Sequence, residues 1–117
     1  MKLFQATATI AVVSNMVTCV TAVYWQCLSV SFREPVVVEA ATSAWSNGLN
    51  SVSNYPKTCF WEDPSGIDEI FRSFPMNANG LPWTSGPANY YVVSNSDRSR
   101  IKVFSNLDGG YQCNLIQ

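Results

Sequence analysis

The stretch Ser53-Asn-Tyr-Pro-Lys-Thr-Cys-Phe-Trp61 marks the point where this chain changes its period. Before it, Val38, Ala41, Trp45 and Leu49 recur at helical spacing. Pro35 suits a first helical turn, and Asn47-Gly48 supplies a stop. The spacing predicts one helix over residues 35–48, with Trp45 packed on a sheet. After the stretch the pattern is that of strands, expected near 55–61 and 67–74 with Asp63-Pro64-Ser65-Gly66 as the turn between them. Residues 76–89 (MNANGLPWTSGPAN) form a long loop dense in Gly, Pro and Asn. Further strands are expected at 90–94, 100–105 and 110–116, joined by polar turns at 95–99 and 106–109. Ile101 and Val103, and Tyr111, Cys113 and Leu115, alternate onto one face, leaving Arg100, Lys102, Gln112 and Asn114 on the other. Residues 23–31 mix aromatic and β-branched side chains as a strand does. The expected class is α+β, one helix packed on an antiparallel sheet.

The N-terminus belongs to targeting rather than to this fold. Lys2 is followed by an uncharged run, residues 3–21, rich in Ala, Val, Ile and Thr, and Val20-Thr21-Ala22 ends in small residues. This is the pattern of a secretory signal peptide over 1–22, leaving one domain over 23–117. Thr, Ser and Asn interrupt the apolar run, which argues against a membrane anchor. Without Lys2 the chain carries six basic and eight acidic residues, a net charge of −2. That balance excludes a generic polyanion binder, whose affinity comes from neutralising phosphates.

Three cysteines remain after the signal, Cys27, Cys59 and Cys113, and the chain contains no histidine. Zinc is therefore not expected, nor any other metal or cofactor. A secreted chain favours a disulfide, and an odd count leaves one thiol over. A bridge between Cys27 and Cys113 would close almost the whole chain and stabilise it by roughly 4–5 kcal/mol on the chain-entropy model. Cys59 then reads as a buried apolar residue.

With these elements placed, the order resembles that of the small secreted fungal guanine-specific ribonucleases. Tyr55-Pro56-Lys57 aligns with that family's Tyr-Pro-His motif. Arg72-Ser73-Phe74-Pro75 aligns with its aromatic-Glu-Trp-Pro segment, and Ser85-Gly-Pro-Ala-Asn-Tyr90 with its Ser-Pro-Gly-Ala-Asp-Arg stretch. Trp25-Gln26-Cys27, directly after the signal, resembles the aromatic-x-Cys signature of powdery-mildew effectors, which also carry a cysteine close to the C-terminus. Many of these form a ribonuclease-like haustorial group that keeps the fold and has lost the active site. The resemblance implies a fungal ribonuclease-like domain whose ends are joined by a disulfide, here Cys27–Cys113.

Cleaving RNA through its 2′-hydroxyl needs a base, an acid for the leaving 5′-oxygen and cationic donors for the developing charge. On the resemblance, those roles fall on a degenerate cleft. Lys57 stands for a histidine, Ser73 for the glutamate and Tyr90 for the arginine, while Tyr55 keeps the family's residue. No catalytic residue is expected. Glu69 shares a strand face with Ser73 but stands about 13 Å away, since a strand rises about 3.3 Å per residue. Arg98, Arg100 and Lys102 form the one basic concentration, which reads as a solvated hairpin or, with Lys57 nearby, as a candidate phosphate surface. The resemblance thus implies a monomeric, secreted virulence effector, translocated into the plant cell and free of membranes once the signal is cleaved. Its expected partners are host proteins, an intracellular immune receptor among them, with RNA bound weakly if at all. Two alternatives stay open: a ribonuclease with an altered mechanism, and an unrelated secreted binding or toxin domain. Trp61 and Trp83, near loops, are core plugs or partner anchors.

Overall fold

The computed structural model describes residues 23–60 and 69–117. The signal segment 1–22, Trp61 and the turn at 63–66 lie outside them. The expected first strand over 23–31 is a hairpin of β1 (Tyr24–Gln26) and β2 (Ser31–Arg33), with Trp25 paired to Phe32. The chain turns because the Cys27 amide donates to the Val30 carbonyl at 2.8 Å, which leaves Leu28 and Ser29 at the bend.

Helix α1 (Glu34–Ser46) follows β2 directly, with Pro35 in its first turn and Glu34 beside the positive end of its dipole. Its buried face is Val37, Ala40, Ala41 and Ala44, one residue out of step with the expected stripe. Val38 is 39% exposed, and Leu49 lies beyond the helix end at 46%. The small alanines let the helix axis approach the sheet, which the larger Val38 and Leu49 would hold off. No basic residue stands in the last turn. Arg72, from a strand, fills that role: its Nη1 donates to the carbonyls of Ala44 and Asn47 at 3.2 Å each. Its guanidinium also lies 4.4 Å from the Trp45 ring centre. Trp45 is half-buried and donates its indole N–H to Ser94, as a helix residue seated on a sheet would.

The main sheet contains β3 (Lys57–Cys59), β4 (Phe71–Met76), β5 (Tyr90–Ser94), β6 (Ile101–Ser105) and β7 (Tyr111–Gln112), antiparallel in that order. The last expected strand, 110–116, is broken at Cys113. β7 pairs with β6, whereas β8 (Asn114–Ile116) leaves to pair with β1, giving a second sheet in the order β8-β1-β2. Leu115 therefore does not share the core face with Cys113 and is 48% exposed.

Cys113 stands at the switch between sheets and Cys27 at the β1–β2 bend. They are bonded across 86 residues with Cα atoms 4.6 Å apart, and Cys59 is free. The core between helix and main sheet is built on Trp25, Phe32, Val37, Phe74, Val92 and Val103. Full burial of side chains of this kind stabilises by about 1.5–3 kcal/mol each. Trp83 enters the same core from the 77–89 loop at 4% exposure, edge-on to Tyr55 and Phe74. It is a core plug.

Candidate functional site

The registers of the main sheet define what its far face presents. Lys57 pairs with Ser73, Ser73 with Val93, and Val93 with Lys102, so these four form one row across β3–β6. Pro75, Tyr91, Phe104 and Gln112 form a second row. Cys59 opposite Phe71 begins a third. Side chains two apart share a face, and Arg72 and Phe74 are turned to α1 and its core. All three rows therefore face away from the helix.

Of the expected degenerate cleft, the structure brings Tyr55, Lys57 and Ser73 together and sends Tyr90 elsewhere. Tyr55 precedes a cis peptide to Pro56, and its ring lies 4.8 Å beneath the Lys57 ammonium. Ser73 is buried in the row. Tyr90 belongs to the helix side, 4% exposed and edge-to-face with Phe32 at 5.3 Å. Strand alternation is the reason: a one-residue step in the alignment exchanges faces, and Tyr91 is the residue turned to the cleft.

The basic cluster is dispersed in the same way. Arg100 is ion-paired with Glu69 at 3.0 Å and sits 5.5 Å from the Phe71 ring centre. Arg98 lies exposed at the hairpin bend, donating to the Ser96 carbonyl. Lys57 and Lys102 share the row, separated by three strand spacings, about 14 Å. Glu69 is engaged on both oxygens, by Arg100 and by the Asn95 side-chain amide. Asn95 is itself buried and holds the base of the 95–99 hairpin through Ser99 and the Arg100 amide.

A groove of about 430 Å³ opens on this face, lined by Cys59, Phe60, Tyr91, Val93, Lys102, Phe104 and Gln112. The Tyr91 and Phe104 rings stack at 5.3 Å with 15° between their planes. Burial pushes the Cys59 thiol up to about 11. Burial, then the neighbouring Cys59 and Tyr55, push the Tyr91 phenol up as well. Both shifts favour the neutral form, which the thiol and the phenol already hold at neutral pH. The aromatic shelf of Tyr91 and Phe104 was not anticipated. The signal was present in the sequence, because Tyr91 has the parity of Val93, and Phe104 that of Lys102.

No carboxylate or imidazole stands in the three rows. Among the described residues, no group of three His, Cys, Asp or Glu is placed to hold a metal ion, and no helix is long and apolar enough to cross a membrane. A helix on one face of an antiparallel sheet and a cleft on the other, with the ends joined by a disulfide, define the ribonuclease-like fold. The chain superposes on the crystal structure of the BEC1054 RNase-like effector from the fungal pathogen Blumeria graminis with a TM-score of 0.70 and 29% identity, over 82% of this chain and 99% of that one. It is also 29% identical to the secreted effector CSEP0064 of Blumeria graminis f. sp. hordei, across 100% of its own length and 99% of the relative's. No family model matches the chain. The protein is thus similar, in sequence and in fold, to the secreted ribonuclease-like effectors of powdery mildew.

Proposed function

We propose that this is a non-enzymatic secreted effector, which acts inside the host plant by binding proteins through a scaffold that has given up RNA cleavage. One observation carries the reading. Across the row Lys57, Ser73, Val93 and Lys102 there is neither a carboxylate nor an imidazole, so nothing there takes the 2′-hydroxyl proton near neutral pH. Lys57 offers a point charge and Ser73 a hydroxyl. Tyr91, turned to the cleft with Ser73, holds its proton more tightly than an ordinary phenol. Groups that act as a unit lose their contribution together when several are replaced.

The test is RNA cleavage by the purified mature protein between about pH 4 and 8, the range in which carboxylates and imidazoles work as acid and base. No cleavage above background is expected. Turnover that disappeared in Tyr55→Phe or Glu69→Gln would establish the altered-mechanism ribonuclease instead. Weak RNA binding is a second reading, favoured by Lys57 and Lys102 on one face. It would be salt-sensitive and indifferent to sequence, and Lys57→Glu would weaken it. Recognition by a host immune receptor is assigned to the exposed parts of the 77–89 loop and to residues 96–99, which a rigid sheet presents.

A further inference from the structure

We propose that the pocket between α1 and the 79–83 loop is an anchor site for a basic polypeptide segment. One aliphatic side chain would enter the pocket, and a lysine or arginine next to it would pair with Glu39 at the rim. This rests on the reading of the protein as a binding scaffold and names the chemistry of its partner.

Two separate pieces of chain build the pocket. Val36, Glu39, Ala40 and Ser43 stand at i, i+3, i+4 and i+7 of α1, one stripe beside the residues that enter the core. Gly80, Leu81 and Pro82 form the opposite wall, and the buried Phe74, Met76 and Trp83 complete the lining. The loop holds its own shape. The Asn77 side-chain amide donates to the Leu81 and Pro82 carbonyls at 3.1 Å each, and the Gly80 amide to the Asn77 carbonyl at 3.0 Å. Gly80 has φ +82°, a conformation that favours glycine, and a Cβ there would meet Val36 Cγ2 at 3.6 Å. The pocket is therefore preformed, and little ordering is needed when it fills.

Two observations select the occupant. The first is size and polarity. The pocket encloses about 30 Å³, where a water-sized group needs about 10–15 Å³. It receives the end of one aliphatic side chain and not a ring. Its lining is largely apolar, and Leu81 is 63% exposed, so the apolar surface continues outward onto the loop. The second is charge. Glu39 is the one charged residue of the lining, and it is exposed, with no ion pair among the described residues. A cation on the partner therefore meets a carboxylate that is not already engaged. Without Lys2 the whole chain carries a net charge of −2, which attracts a basic segment at long range and repels a nucleic-acid backbone. Local and overall charge favour the same partner.

The experiment is a titration of the ¹⁵N-labelled mature protein with a capped peptide of alternating leucine and lysine. Leucine–glutamate and glycine–lysine peptides and an oligouridylate are titrated in parallel. The Trp83 indole N–H is a direct reporter, since it is buried without an acceptor among the described residues. Shifts of that resonance and of the Gly80 and Leu81 amides are expected with the leucine–lysine peptide and not with the leucine–glutamate peptide. The glycine–lysine peptide, which keeps the charge and lacks the aliphatic anchor, should bind at least about tenfold more weakly. Affinity for the leucine–lysine peptide should fall at least about fivefold in Glu39→Lys at low ionic strength. Glu39→Gln and Asp108→Asn change the net charge equally at exposed positions, and only the first should weaken binding, by about threefold. Lysine and glutamine are good helix formers, so both Glu39 variants are read on a folded protein. Equal shifts from the leucine–lysine and leucine–glutamate peptides, no shift from either, or equal weakening in Asp108→Asn would overturn the proposal. Shifts at these residues from the oligouridylate alone would also overturn it and make the pocket a nucleic-acid site. The outcome is separable from the non-enzymatic reading, because RNA turnover is measured without peptide and pocket occupancy without RNA cleavage.

Discussion

The two faces of the main sheet obey different rules. On the helix side, Phe74, Val92 and Val103 are buried against Val37, Ala41 and Ala44, and Trp25, Phe32 and Tyr90 close the space from the small sheet and β5. On the far side, Lys57 is exposed, Tyr91, Lys102 and Phe104 are half-buried, and about 430 Å³ stands open above them. Both faces arise from the same strands, alternating residue by residue. One face stabilises the fold, which frees the other to change its chemistry without unfolding the protein. Lys57, Ser73 and Tyr91 stand on the far face at little expense to the core, because none of these side chains belongs to the central packed layer.

The staple tests the dependence of both faces on a common frame. Replacing Cys27 and Cys113 together by Ser should lower unfolding stability by about 4–5 kcal/mol, the largest single effect expected, since the bond closes a loop of 86 residues. Chemical denaturation under oxidising conditions measures it. If the double variant lost less than about 1 kcal/mol, the bond would not constrain the unfolded chain as the entropy model requires. The switch of the chain from β7 to β8 would then be held by packing alone.

The next largest effect compares the two faces directly. Phe74→Ala, on the helix side, should cost about 3–5 kcal/mol, and Phe104→Ala, on the cleft side, about 1 kcal/mol or less. Comparable losses at both sites would show that the cleft side is also core and would remove the asymmetry. Trp83→Ala belongs with Phe74. The sequence reads residues 76–89 as a loop that tolerates exchange, yet Trp83 is buried edge-on to Phe74. Swapping the loop should therefore leave the melting temperature nearly unchanged only if Trp83 is kept. Without it the loss should approach that of Trp83→Ala, about 3–5 kcal/mol. Thermal denaturation of two swaps, with and without the tryptophan, separates the cases.

These comparisons also show where the sequence is legible. The meander is readable because Val92, Val103 and their neighbours alternate with period two, and β5 falls at 90–94 as expected. The helix is readable, but its buried stripe is displaced by one residue. Periodicity weighs Val38 and Leu49 as apolar, whereas packing selects the small alanines. The break at Cys113 is set by pairing with β1, some ninety residues earlier in the chain, and local pattern carries no trace of it. At the site, Lys57 and Ser73 were placed by motif and sit in one row. Tyr90 and Tyr91 are identical in type, so only the strand's phase against β4 tells which one enters the cleft. The Arg100–Glu69 pair spans 31 residues and converts one of the four cations of an expected basic patch into structural support.

The smallest effect expected concerns Cys59, which tests how closed the cleft side is at its β3 end. Burial raises this thiol from its usual 9.0 to about 11. With the folded value raised, the stability linked to the protonated thiol is fully present below pH 9 and is lost as pH rises through about 11. Over that window the unfolded chain binds fewer protons than the folded one, so stability falls with pH. The residue is only partly buried, and solvent screening discounts the effect to about 1 kcal/mol. Tyr91, also raised, adds in the same direction. Denaturant unfolding between pH 8 and 11 should show this decline, and Cys59→Ala should flatten part of it. A kinetic measurement is more sensitive. At pH 8 the thiolate fraction of Cys59 should be about 100-fold below that of the unfolded chain, and alkylation by iodoacetamide slower by a similar factor. Alkylation of the native protein at the unfolded rate would mean that the thiol is fully solvated. The groove would then end short of β3, and the contrast between the two faces would be larger than the packing around Cys59 implies.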